Sequence, residues 1–127
     1  MPKRCTFPKE EKLKSKKGIE LLFSEGKSIS SFPLKLIYIP TTTPQKAPVQ
    51  TGVAVSKKRF KSAVTRNRIK RLLRESYRLH KHIIFNNIEG KFAFLFLYLG
   101  KELPTQQLVT QHMIRLLQQF LAKHKDD

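Results

Sequence analysis

The chain has 127 residues, 39% of them hydrophobic, which suffices for one packed core and is too short for two comfortable ones. Its 26 Lys and Arg against 9 Asp and Glu leave a formal net charge of +17, pointing to nucleic acid or an anionic membrane surface as partner and carrying no information about fold. The longest apolar run, Phe92 to Leu99, is too short to span a bilayer, the charged N-terminus has no apolar stretch of the signal-peptide kind, and a single cysteine excludes an internal disulfide and a thiolate zinc cluster.

These properties predict one cytoplasmic domain covering residues 1–127. Residues 1–12, polar and basic with Pro2 and Pro8, are expected to form a flexible arm in which Cys5 is a free thiol. The spacing of Ile19, Leu22 and Phe23 predicts a helix over Leu13 to Glu25, stopped by Gly26. Ser28 to Ile39 alternates as a strand, with Pro33 either separating a short first strand from a longer second one or marking an edge. Pro40 to Pro48 reads as a turn-rich loop and Val49 to Ser56 as the next strand, paired antiparallel with its predecessor.

Ser62 is a plausible N-cap for a second helix. Wound at about 100° per residue, that helix turns Ile69, Leu72, Leu73, Ser76 and His80 toward the sheet, flanked by Thr65 and Tyr77. Arg66, Asn67, Lys70, Arg71, Arg74 and Arg78 gather on a neighbouring face, while Arg68 falls on the opposite flank beside Glu75. Asn86, Asn87 and Gly90 mark a loop. Lys91 to Leu99, apolar on both parities, reads as a strand buried on both faces, in which Phe92, Phe94, Phe96 and Tyr98 are sheet core rather than a base-stacking platform. Pro104 and Thr105 introduce a last helix with an apolar stripe of Val109, Met113, Leu116, Leu117, Phe120 and Leu121. The predicted fold is α+β: a small two-layer sandwich with a mixed sheet of about four strands, order α-β-β-β-α-β-α, and a parallel β-α-β crossover through the basic helix.

Between Lys57 and Lys81 lie eleven of the 26 Lys and Arg, with Glu75 as the only acid. A solvated helix gains from mixed signs, whereas Arg66, Lys70 and Arg74 stack like charges at a cost of a few tenths of a kcal/mol per pair. Phosphates relieve that cost. The arginine fork suits bidentate phosphate contacts, and Asn67 adds hydrogen bonds to sugar or base edges.

The run VSKK (55–58), followed by AVTRNRIKRLLRES (63–76), closely resembles the RNR signature of the bacterial ribonuclease P protein subunit, with its Arg-Asn-x-x-Lys-Arg core at Arg66, Asn67, Lys70 and Arg71. Length and element order are similar to that family over nearly the whole chain. The resemblance implies an accessory protein of a metal-dependent endoribonuclease whose catalyst is its RNA subunit, releasing the 5′ leader of precursor tRNA. Implied partners are that RNA and precursor tRNA, with no membrane, no required protein partner and a monomeric chain. The implied cofactor is Mg²⁺, held mainly by RNA and by no site intrinsic to the protein. The family also implies a left-handed crossover, against the general preference.

Carried over by position, the RNA-subunit contacts are Arg59, Lys61, Arg66, Asn67, Arg68, Lys70, Arg71, Arg74 and Arg78. A cleft for the single-stranded leader maps to Ile19 and Phe23, matching two aromatic positions of the first helix, to Ile37 and Tyr38 on the strand, and to Lys57 and Lys58 leaving the sheet. Ile19 replaces an aromatic, and Lys61 stands where many relatives have glycine. Phe23 has a rival reading as core, and so does Tyr38, which faces away from Ile37. Phe60 is expected to pack the helix start against the core.

No catalytic residue and no metal ligand is assigned. His80, His82, His112 and His124 lack metal-ligand spacing, the carboxylates are scattered with Asp126 and Asp127 at the tail, and no phosphate-binding loop or nucleophile elbow occurs. The main alternative is a ribosomal or RNA-chaperone-type protein with no enzyme role. A protein-only nuclease lacks the carboxylate cluster it needs, and membrane-surface binding lacks a broad apolar helix face.

Overall fold

The computed structural model describes residues 11–13, 16–41, 48–88 and 90–125, without the side chains of 124 and 125. The first ten residues with Cys5, most of the loop predicted over 40–48, and Asp126 and Asp127 lie outside the described residues. The elements are α1 (Lys16–Glu25), β1 (Lys27–Ser31), β2 (Leu34–Pro40), β3 (Val49–Val55), α2 (Ala63–His80), α3 (His82–Phe85), β4 (Phe92–Tyr98) and α4 (Gln106–Lys125). Pro33 sits in the turn between two strands, as its missing N–H requires. The short α3 follows directly on α2, in a stretch that carries no periodic signal of its own.

The four strands form one sheet in the order β1-β2-β4-β3. β1 pairs antiparallel with β2, β2 antiparallel with β4, and β3 parallel with β4, with Phe96 opposite Leu36 on one side and Val53 on the other. The antiparallel pairing expected between β2 and β3 is therefore corrected: β4 lies between them. Its residues Phe92 to Phe96 are all buried, and a strand apolar on both parities gains most from the centre of a sheet. Hairpin pairing of β2 with β3 would have displaced it toward an edge. The α2 crossover is what lets β3 and β4 run parallel.

Side-chain alternation divides the sheet into two faces. One carries Leu34, Leu36, Tyr38, Phe92, Phe94, Phe96 and Tyr98 against Ile69, Leu73 and Tyr77 of α2 and Val109, Met113, Leu116, Leu117 and Phe120 of α4. The other carries Ile37, Ala93 and Leu95 under Leu22 of α1 and Leu13. The sheet and its α2–α4 layer make the expected sandwich, and α1 adds a smaller cover on the opposite face.

Within α2 the buried stripe is centred nearer Tyr77 than the helical wheel predicts. Tyr77 is fully buried 5.5 Å from the ring of Phe96, while Leu72 and His80 are only half-buried. The helix has two partners: the sheet takes Leu73 and Tyr77, and α4 takes Ser76, whose hydroxyl lies 3.0 Å from that of Thr110. Gly26 ends α1 as expected, for a steric reason. Its N–H donates to Leu22 O at 2.9 Å, and a Cβ there would meet that carbonyl and stand 2.6 Å from Ile37 Cγ2, so the helix approaches β2 this closely only through glycine. The left-handed conformation that often selects such glycines belongs instead to Gly90, at φ 82°.

Two residues assigned to the arm are part of the fold. Glu11 is buried in an ion pair with Lys81 at 2.6 Å, and Lys12 forms a parallel β-bridge with Thr51 at the outer edge of β3. Among the described residues no helix is long and apolar enough to cross a membrane.

Candidate nucleic-acid interface

The basic helix begins where β3 ends. Ser62 is the N-cap, its hydroxyl accepting from Thr65 N–H at 3.3 Å. The approach to it, Lys57 to Phe60, is a tight turn in which Phe60 N–H donates to Ser56 O at 3.1 Å. Phe60 is buried 5.9 Å from the Tyr98 ring, as expected of a residue seating the helix start.

Two of the predicted RNA-contacting arginines brace this turn. Arg66 Nη1 donates to Phe60 O at 2.8 Å and to Lys61 O at 2.9 Å, and Arg59 Nη1 donates to Leu99 O across the neighbouring loop. Lys57, Lys58 and Lys61 are exposed around them.

Farther along α2, Asn67, Arg71, Arg74, Glu75 and Arg78 line an open depression of about 480 Å³ together with Lys12. Arg68 stands exposed on the other flank, and the half-buried Lys70 lies outside this lining. Glu75, placed beside Arg68 by the helical wheel, instead takes an ion pair with Arg78, whose side chain sweeps back over the preceding turn. That hydrogen bond holds the Glu75 carboxyl below the usual carboxylate range. One acid thus orders one cation on a face that is otherwise positive.

A second depression of about 200 Å³ opens between α1 and the sheet, with Leu13, Ile19, Val53 and Leu95 as apolar surface, Thr51 and Gly52 on the β3 side, and Lys12 and Arg74 as cations. Lys12 and Arg74 line both depressions, so the arginine face runs into the groove without a break. Lys12, Thr51, Gly52, Val53 and Leu95 were not among the predicted site residues. Nothing local in the sequence singles out these strand residues, and nothing local signals that Lys12 lies beside Arg74.

The predicted cleft residues separate. Ile19 lines the groove, whereas Ile37 is corrected: it is buried beneath α1 with Leu22 and Leu95 and is not among the residues that line the groove. Phe23, one turn beyond Ile19 on the same side of α1, is 59% exposed, which removes its rival reading as core. Tyr38 is corrected. It points to the opposite face of the sheet and packs edge-on against Phe120 at 5.0 Å and Phe94 at 6.4 Å, because its register is one residue out of step with Ile37. Lys57 and Lys58 stand beyond the groove, at the carboxyl end of β3.

The family model described as Ribonuclease P matches residues 7–121. The chain belongs to the ribonuclease P protein family. The ribonuclease P protein component of Porphyromonas gingivalis is 36% identical over 119 residues, covering 91% of this chain and 87% of the relative. That of Chlorobium phaeobacteroides is 37% identical over 122 residues, covering 86% of this chain and 84% of the relative. The fold is similar to the solved ribonuclease P proteins of Staphylococcus aureus, with a TM-score of 0.70 at 21% identity over 90% of this chain and 96% of that one, and of Thermotoga maritima, with a TM-score of 0.69 at 24% identity over 86% and 96%. Family membership accounts for the RNR run at Arg66 to Arg71, while at these identities the solved structures speak to fold.

Proposed function

We propose that this chain is the protein subunit of a ribonuclease P, binding the catalytic RNA through the α2 face and holding the 5′ leader of precursor tRNA in the groove between α1 and the sheet. One observation carries the proposal: Lys12 and Arg74 join a cationic helix face to an apolar-floored groove. The face neutralises phosphates of a structured RNA, and arginine does so with fixed bidentate geometry. The groove suits single-stranded RNA, whose bases settle on apolar or aromatic surface while cations track the backbone, a mode that reads little sequence. Phe23, exposed one helical turn beyond the groove-lining Ile19, is the aromatic surface this reading assigns to the leader.

Among the described residues no group of three or more His, Cys, Asp and Glu side chains is placed to hold a metal ion. The Mg²⁺ required for hydrolysis is bound by the RNA subunit in this proposal, and the protein contributes by screening repulsion between two RNAs. The chain acts in the cytoplasm as a monomer, with RNA as its partner. Reconstitution with the catalytic RNA is the test: precursor tRNA cleavage at low Mg²⁺ rises on adding the protein, and leader-bearing substrate binds more tightly than mature tRNA. No stimulation refutes the assignment. Equal affinity for the two tRNAs favours a ribosomal or RNA-chaperone role.

A further inference from the structure

Residues 11–13 form a short strap along the outer edge of β3, held there by the Lys12–Thr51 bridge. Leu13 is buried with Leu22, Ile37 and Leu95, its N–H donating to Thr51 O at 3.0 Å, and Lys12 is exposed. Glu11 turns inward onto Lys81, with Nζ to Oε1 at 2.6 Å and only 11% of either side chain accessible. Lys81 caps the carboxyl end of α2, its N–H donating to Tyr77 O at 2.8 Å, and its ammonium lies 5.4 Å from the centre of the Phe85 ring. The pair therefore ties the strap to the end of the arginine helix. Burying two charges gains little stability over apolar residues of similar volume, so such a pair is better explained by what it fixes in place.

We propose that Glu11 and Lys81 are positioning residues that hold Lys12 in the polyanion-binding face. Lys12 faces both depressions, beside Arg71 and Arg74 in one and beside Ile19 and Thr51 in the other. With the strap seated, one more cation stands where the structured-RNA face meets the single-strand groove. With the strap released, the groove loses its outer wall at Lys12 and Leu13. The inference rests on the RNA-binding reading of α2 and adds to it a segment outside the RNR run.

The test uses the full chain and the catalytic RNA of a ribonuclease P as probe, with affinity measured across a salt series. Lys12→Gln is expected to lower the slope of log affinity against log salt by roughly 0.7 to 0.9, the signature of one fewer phosphate neutralised. The double variant Glu11→Gln/Lys81→Met removes both buried charges together, so that neither is left unpaired. It is expected to keep the thermal midpoint close to that of the parent, to lower the slope by the same amount, and to show no further loss when Lys12→Gln is added. Amide hydrogen exchange at Leu13 should accelerate in the double variant while the centre of α2 stays protected. An unchanged slope with unchanged Leu13 exchange overturns the inference, as do losses that add when the three substitutions are combined. Arg71→Gln is the control. If it lowers the slope and Lys12→Gln does not, the strap is no part of the face and the RNA-binding proposal stands; if neither lowers it, both fall.

Discussion

Arg66 and Arg71 are equivalent members of the RNR run by sequence, and the structure gives them different work. Arg66 Nη1 makes two hydrogen bonds to carbonyls of the turn before α2, one partly buried at 2.8 Å to Phe60 O and one exposed at 2.9 Å to Lys61 O. A partly buried bond from a charged donor contributes about 1.5–3 kcal/mol, and an exposed one a few tenths after solvent competition. Arg66→Gln is therefore expected to cost about 2 kcal/mol. For a domain of this size about 3–6 °C of thermal midpoint is lost per kcal/mol, giving a fall of roughly 6–12 °C. Arg71 is exposed in the depression, so Arg71→Gln should stay within about 0.5 kcal/mol of the parent. The assay is thermal unfolding of both variants without RNA, followed by a salt series of RNA affinity at a temperature where both are folded. Arg71→Gln should flatten the salt dependence with no change in midpoint, while Arg66→Gln lowers the midpoint first. Equal midpoints for the two variants would refute the division of labour.

Phe23→Ala removes a ring that is 59% exposed, so its thermal midpoint should barely move while binding of leader-bearing tRNA weakens relative to mature tRNA; equal losses on both substrates sink the assignment of Phe23 to the groove. Tyr38→Ala opens the core beside Phe94 and Phe120 and should cost about 3–5 kcal/mol in chemical denaturation, a loss independent of the leader. His112 accepts or donates at 2.7 Å to the Ser31 hydroxyl, and burial together with the Arg115 charge holds its pKa below the ordinary value of 6.5. Because the folded state binds this proton less tightly than the unfolded chain, the stability concerned is fully present above pH 6.5 and drains away as pH falls from there through the lowered folded value. Thermal midpoints between pH 7.5 and 5 should fall less steeply in His112→Gln than in the parent, and parallel curves would show that His112 carries none of the dependence.

Much of the interface was legible in the chain itself. The helical period of α2, the unrelieved like charges along it and the RNR run are local properties, set by backbone geometry over a few turns, and they specified a cationic face and a family before any fold was known. The double-sided apolarity of Lys91 to Leu99 likewise announced a strand buried on both faces. What local pattern does not contain is competition for a place. β2 and β3 are neighbours in sequence with a turn-rich connection, yet β4 outcompetes β3 for the side of β2 because burying both of its faces gains more than closing a hairpin. Once β4 is central, the remaining assignments follow from three dimensions: Tyr38 falls on the α4 side of the sheet, Tyr77 is drawn fully into the core, and the edge of β3 is left to pair with Lys12. The length of a side chain decides the rest, since Arg66 reaches back to the turn, Arg78 reaches Glu75, and Glu11 reaches Lys81. Sequence determined that this protein presents a strongly cationic helix; tertiary packing decided which of its cations brace the fold, which stand open, and that the N-terminal strap joins them, because each depends on groups far apart in the chain that only the sheet order brings together.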